Sequence, residues 1–138
     1  MWLEIRPDGD QMLAHMMRLD LTTGEQEDIG APRMADFQPA WSPTGEWLAV
    51  TRWDWTEGYP SKTQIWLMRA DGAEAHPVLA DPDIQYLSPV WSADGRFLLF
   101  QRYTSDQTFV QPEVWMLDLD SGQTTRTLPS AGQVVWLP

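Results

Sequence analysis

Gln38-Pro39-Ala40-Trp41-Ser42-Pro43-Thr44-Gly45-Glu46-Trp47-Leu48-Ala49-Val50 returns fifty residues later as Ser88-Pro89-Val90-Trp91-Ser92-Ala93-Asp94-Gly95-Arg96-Phe97-Leu98-Leu99-Phe100. Each copy is a short apolar run, a Pro/Asp/Gly turn and a second β-rich run, which is how a hairpin is written. A repeat of this period means a fold built from like units, so the remaining chain is read by extending it in both directions.

Downstream of the first copy, residues 52–64 form a polar and aromatic connection, 65–69 a third strand, 70–73 a tight turn and 75–79 a fourth strand. The second copy spells the same order, with strands at 90–92, 96–101, 114–119 and 124–128 and a long connection at 102–113. Four antiparallel strands in about fifty residues make one blade-sized sheet. Upstream, Met17-Arg18-Leu19-Asp20-Leu21-Thr22-Thr23-Gly24 lines up with Trp115-Met116-Leu117-Asp118-Leu119-Asp120-Ser121-Gly122. Residues 11–21 therefore read as a strand, 25–29 as its return, and 30–37 as a loop, while 2–5 is a strand followed by a turn at 6–10.

The two ends complement one another. Gln133-Val134-Val135-Trp136-Leu137-Pro138 matches Gln38 to Pro43, the first strand of a unit, and Met1-Trp2-Leu3-Glu4-Ile5 matches Glu46 to Val50, the second strand. The expected layout is one domain over 1–138: strands two to four of a split unit in 1–36, whole units in 37–87 and 88–132, and strand one of the split unit in 133–138. Three units cannot close a ring, and an open arc leaves bare edges. The expectation is a homodimer joined head to tail into six units, each C-terminal strand completing the other chain's first unit, against the alternative that the chain is a piece of a longer repeat protein.

Composition agrees with an all-β protein: nine Trp, eleven Pro and nine Gly in 138 residues set large flat side chains among turn formers. Twenty acidic against nine basic residues give a net charge of −11 with no basic cluster, which argues against nucleic acid as a partner. No cysteine is present for a disulfide or a thiolate metal site. The N-terminal stretch has neither a basic leader nor a long apolar run, and no window is long enough to span a bilayer, so no membrane partner is expected. As written, the chain reads as soluble and cytoplasmic, with the compartment left open.

Pro-x-Trp-Ser-Pro-x-Gly, an aromatic-Leu-Ala/Leu strand, then Trp-x-Met/Leu-Asp-x-Asp/Ser-Gly resembles the TolB-like β-propeller repeat, also found in propeller domains of prolyl oligopeptidase-like peptidases. The resemblance covers residues 37–138 well and the first thirty in part. It implies four-stranded blades around a central channel, commonly used as a binding platform, in proteins that are often periplasmic or extracellular.

Candidate chemistry is sparse. There is no Gly-x-Ser-x-Gly elbow and no cysteine nucleophile, so the chain is expected not to be an enzyme, and no cofactor is implied. Ser42 and Ser92 belong to turns, and His15 and His76 read as packed or solvated side chains. Asp8, Asp10, Asp81, Asp83, Asp118 and Asp120 are better explained by turns than by Ca²⁺. Trp41, Trp66, Trp91, Trp115 and Trp136 repeat in register and are expected to pack between units. Trp53, Trp55, Tyr59, Tyr103 and Phe109 fall on the long connections, where recognition is commonly placed. Arg52 and Arg102 end matching strands beside them. Arg near aromatics suits a small anionic or carbohydrate ligand or an extended peptide, against the plainer alternative that each Arg pairs with a nearby acid. The function expected is therefore a binding or scaffold module, with two alternatives: a detached propeller part of a peptidase- or glycosidase-like protein, or a purely structural self-assembling fragment.

Overall fold

The computed structural model describes residues 1–57, 62–104 and 112–129. Tyr59, Phe109, Trp136 and the expected strand at 133–138 lie outside the described residues. Eleven strands run in order: β1 (Trp2–Asp8), β2 (Gln11–Leu19), β3 (Gln26–Asp28), β4 (Met34–Trp41), β5 (Trp47–Asp54), β6 (Gln64–Arg69), β7 (His76–Leu79), β8 (Ile84–Trp91), β9 (Phe97–Thr104), β10 (Glu113–Asp118) and β11 (Thr124–Leu128). They form three antiparallel meanders in the orders β1-β2-β3, β4-β5-β6-β7 and β8-β9-β10-β11. Among the described residues no helix is long and apolar enough to cross a membrane.

The turns form for the reasons the sequence suggests. Ser42 and Ser92 are buried, and their hydroxyls accept the backbone N–H of Trp47 at 3.1 Å and of Phe97 at 2.9 Å. Each thus closes the hairpin between the first and second strands of its sheet. Asp20 and Asp118 do equivalent work between the third and fourth strands: each carboxylate accepts two backbone N–H groups inside its turn, from Thr22 and Thr23 and from Asp120 and Ser121.

The strands are longer than the sequence indicates. Residues 34–37 belong to β4 rather than to a loop, and β8 begins at Ile84 rather than at Val90. Both carry a bulge at the same place, between Phe37 and Ala40 and between Leu87 and Val90. There Gln38 and Ser88 take positive φ, 49° and 54°. A bulge followed by proline breaks the alternation that would advertise a strand. The bulge also stitches the sheets together, since the Gln38 amide oxygen accepts both the Thr51 hydroxyl and the Ser88 N–H at 3.0 Å. At the other end β5 runs on to Asp54 and β9 to Thr104, so Arg52, Trp53, Arg102 and Tyr103 lie in strands, not on connections. The expected loop at 6–10 shrinks to a two-residue turn at Gly9 and Asp10, because Asp8 pairs with Gln11.

The match of the N-terminus to Glu46–Val50 is corrected by three residues. The Asp20 and Asp118 turns equate Met17 with Trp115; Met17 pairs with Trp2, and Trp115 with Phe100. Trp2 therefore occupies the place of Phe100 and Val50, not of Trp47. An odd shift reverses the face of every side chain. Leu3 accordingly stands beside Met16, whose side chain packs into a cluster with Leu48, Val50 and Met68 of the second sheet.

Apolar layers lie between successive sheets. Met16 and Ile29 meet Leu48, Val50 and Met68 at the first junction, and Ala49, Ile65, Leu67 and Leu79 meet Tyr86, Trp91, Leu98, Phe100 and Leu117 at the second. Trp91 fills the second junction as expected, its indole N–H donating to the Ala40 carbonyl at 2.9 Å. Trp66 and Trp115 are half-buried against these layers. Trp41 departs from the expectation: it is 43% exposed against 9% for Trp91. Trp91 packs on β4 of the sheet before it, whereas among the described residues the first sheet carries three strands with β1 at its edge.

Candidate functional site

The ends of β5 and β9 set matching residues at the rim where the long connections leave. On β5, Arg52 is 1% exposed and gives a bidentate pair to Asp36 on neighbouring β4, Nε to Oδ1 at 2.6 Å and Nη2 to Oδ2 at 2.7 Å. Its guanidinium lies 4.7 Å from the centre of the Trp66 ring, and Trp66 in turn donates its indole N–H to Gln64 at 2.7 Å. Both guanidinium nitrogens that face the acid are taken and water is excluded, so Arg52 serves as a structural cation between the first and second sheets. Sequence reasoning missed Asp36, which sits inside the residues read as a loop; strand alternation with Arg52 opposite becomes visible only when β4 and β5 are paired.

Arg102 repeats the arrangement with one change. Its guanidinium lies 4.8 Å from the Trp115 ring, and Trp115 donates to Glu113 at 2.9 Å, as Trp66 does to Gln64. Opposite Arg102, however, β8 carries Tyr86 where β4 carries Asp36. Among the described residues Arg102 bonds Glu113 through Nη1 at 3.3 Å and also meets the Tyr86 hydroxyl, and its side chain is 22% exposed. Glu113 is shared with Arg126, also at 3.3 Å. Burial, reinforced by Asp81, holds the Tyr86 phenol above its ordinary 10.0, with Arg102 opposing, so it is a neutral hydroxyl near pH 7. The result is a partly exposed cation beside a neutral phenol.

The aromatic candidates divide. Trp53 stands opposite Ala35, packs edge-on to Phe37 at 5.1 Å between ring centres, and keeps over a third of its surface exposed; Phe37 and Ala35 belong to a cluster with Leu13 and Ala14 of the first sheet. Arg102 shares a face with Phe100, which looks back at the second sheet. Tyr103 points to the opposite face of β9. Trp55 is packed against Leu13, Ala14 and Ala35, its backbone tied to Arg33 by two hydrogen bonds, from its own N–H and from the Arg33 guanidinium to its carbonyl. Its indole N–H is buried and has no hydrogen-bond partner among the described residues. His15 is buried and bonded to Asp28 at 2.9 Å, and His76 is exposed. Among the described residues no cluster of His, Asp or Glu suits a metal ion.

No protein-family model and no curated protein matches the chain. Solved structures do. A TolB protein of Agrobacterium tumefaciens superposes with a TM-score of 0.69 at 23% identity over 90% of this chain, and TolB of Acinetobacter baumannii with 0.62 at 19% over 84%. The β-propeller domain of the Trilobed protease from Pyrococcus furiosus, described as having an open velcro topology, gives 0.63 at 15% over 92%. The fold is a β-propeller. The three sheets are its blades, and the chain spans 43%, 27% and 38% of those three structures, less than half of each.

Proposed function

We propose that this chain is a non-enzymatic propeller binding module whose ligand surface lies at the ends of β5 and β9, around Arg102 and Trp53. The observation that carries the reading is the contrast between the two matched arginines: Arg52 is locked against Asp36, whereas Arg102 has lost that acid and keeps part of its guanidinium in solvent. A partly exposed cation next to aromatic surface favours a small carboxylate- or phosphate-bearing ligand, or an acidic peptide end, held by charge-assisted bonds and stacking. Thermal-shift screening with sugar phosphates, dicarboxylates and short acidic peptides tests the reading. Arg102→Ala should abolish the response of any hit while the unliganded melting temperature stays close to the parent's. A response that survives Arg102→Ala and Trp53→Ala moves the site elsewhere.

The likeness to a protease's propeller domain favours one other reading, a propeller portion of a hydrolase whose chemistry resides outside these residues. A panel of peptidase and glycosidase substrates separates the two: turnover that persists through repurification rejects the non-enzymatic module.

A further inference from the structure

The internal repeat shows within one molecule what a closed blade junction looks like. Between the second and third blades, Leu79 on β7 and Leu117 on β10 share one buried cluster, 8% and 2% exposed. Leu79 stands opposite Ile65 as Leu128 stands opposite Val114, so Leu128 is the third blade's counterpart of Leu79. Leu19 follows Met17 as Leu117 follows Trp115, so Leu19 is the first blade's counterpart of Leu117. These two counterparts are 49% and 38% exposed. The third blade also has a shallow apolar depression of about 350 Å³ lined by Ser92, Ala93, Asp94, Phe97 and Met116. On the second blade the residue matching Ala93 is Pro43, and that is where the third blade lands: a Cβ placed on Gly95 would lie 3.7 Å from the Pro43 ring.

We propose that the front of the third blade docks the back of the first blade of a second copy, and that two such identical junctions close two chains into a six-bladed ring. The occupant is a second copy because the complementary surface is one that this chain itself carries: Leu19 presents to the open junction what Leu117 presents to the closed one. A head-to-tail contact of this kind yields a ring when its rotation closes and a filament when it does not. The inference rests on the fold and is independent of the ligand reading, since Leu19 and Leu128 are remote in sequence from Arg102 and Trp53 and lie on other strands.

Light scattering on the full 138-residue chain tests it directly, with twice the 15.8 kDa chain mass expected. Leu128→Asp changes an exposed strand position and should leave the circular dichroism spectrum unchanged, yet weaken dimerisation at least tenfold. Leu19→Asp should do the same, and the pair Leu19→Lys with Leu128→Asp should restore the dimer. A parent chain that is monomeric at every concentration overturns the proposal. So does an open polymer, or a dimer indifferent to both single substitutions.

Discussion

Arg52 and Asp36 make one of the most buried polar contacts in the molecule, and their energetics follow from that burial. Removing one partner of a buried pair strands the other charge away from water, which costs about 3–5 kcal/mol. Arg52→Ala should therefore lower the unfolding midpoint steeply, although the sequence alone invites the expectation that this arginine faces a ligand. Arg102→Ala, at a partly exposed pair, should cost about 1 kcal/mol or less. Replacing both members of the buried pair, Arg52→Met with Asp36→Leu, should recover most of the loss, because no charge is then left unpaired. Urea denaturation of the variants measures all three, and equal losses for Arg52→Ala and Arg102→Ala would contradict the burial of the first pair.

At the scale of elements, the hairpin turns carry a pH dependence. Asp20 is held below its ordinary 3.8 by the Thr23 and Thr22 backbone N–H groups, Asp94 chiefly by the Ser92 hydroxyl, and Asp118 chiefly by Arg96, which bonds it at 2.7 Å. Folding lowers these three values, so the unfolded chain binds more protons than the folded one in this range. The stabilisation is complete above 3.8 and is lost as the pH falls through the lowered folded values. Unfolding midpoints should thus be level from neutrality down to mild acid and drop below 3.8. Asp94→Asn with Asp118→Asn should lower the plateau and flatten the drop, measured by urea unfolding at stepped pH. A drop of unchanged depth in that double variant would place the acid sensitivity elsewhere. Asp36 and Arg52 lie on β4 and β5, so this titration of turns is separable from the buried pair.

For the whole molecule, a two-chain ring makes stability depend on concentration, since only the folded state binds its partner. The melting temperature of the parent should climb as the protein is concentrated, while that of Leu128→Asp should not. Two chains of charge −11 also repel one another, so added salt should deepen the effect by screening. A parent melting temperature that is constant over a hundredfold range of concentration would go against assembly.

The repeat, the turn chemistry and the order of strands were all legible from one chain, because each rests on local rules: apolar alternation, Ser and Asp bonding their own turns, and glycine where φ is positive. The inter-blade role of Trp91 was legible for the same reason, as the second instance of a repeated position. What pairing alone decided is the three-residue placement of β1, the continuation of β4 and β8 through their bulges, and the fate of each repeated side chain. Trp41 and Trp91 carry the same motif, yet one is exposed and the other buried, because among the described residues the sheet in front of each differs by a strand. Arg52 and Arg102 end the same strand, yet one is sealed and the other half-open, because the residue across the ladder is Asp36 in one blade and Tyr86 in the next. A sequence repeat specifies the positions that can meet; which residue stands opposite, and how much water remains there, is set by the register of strands far apart in the chain.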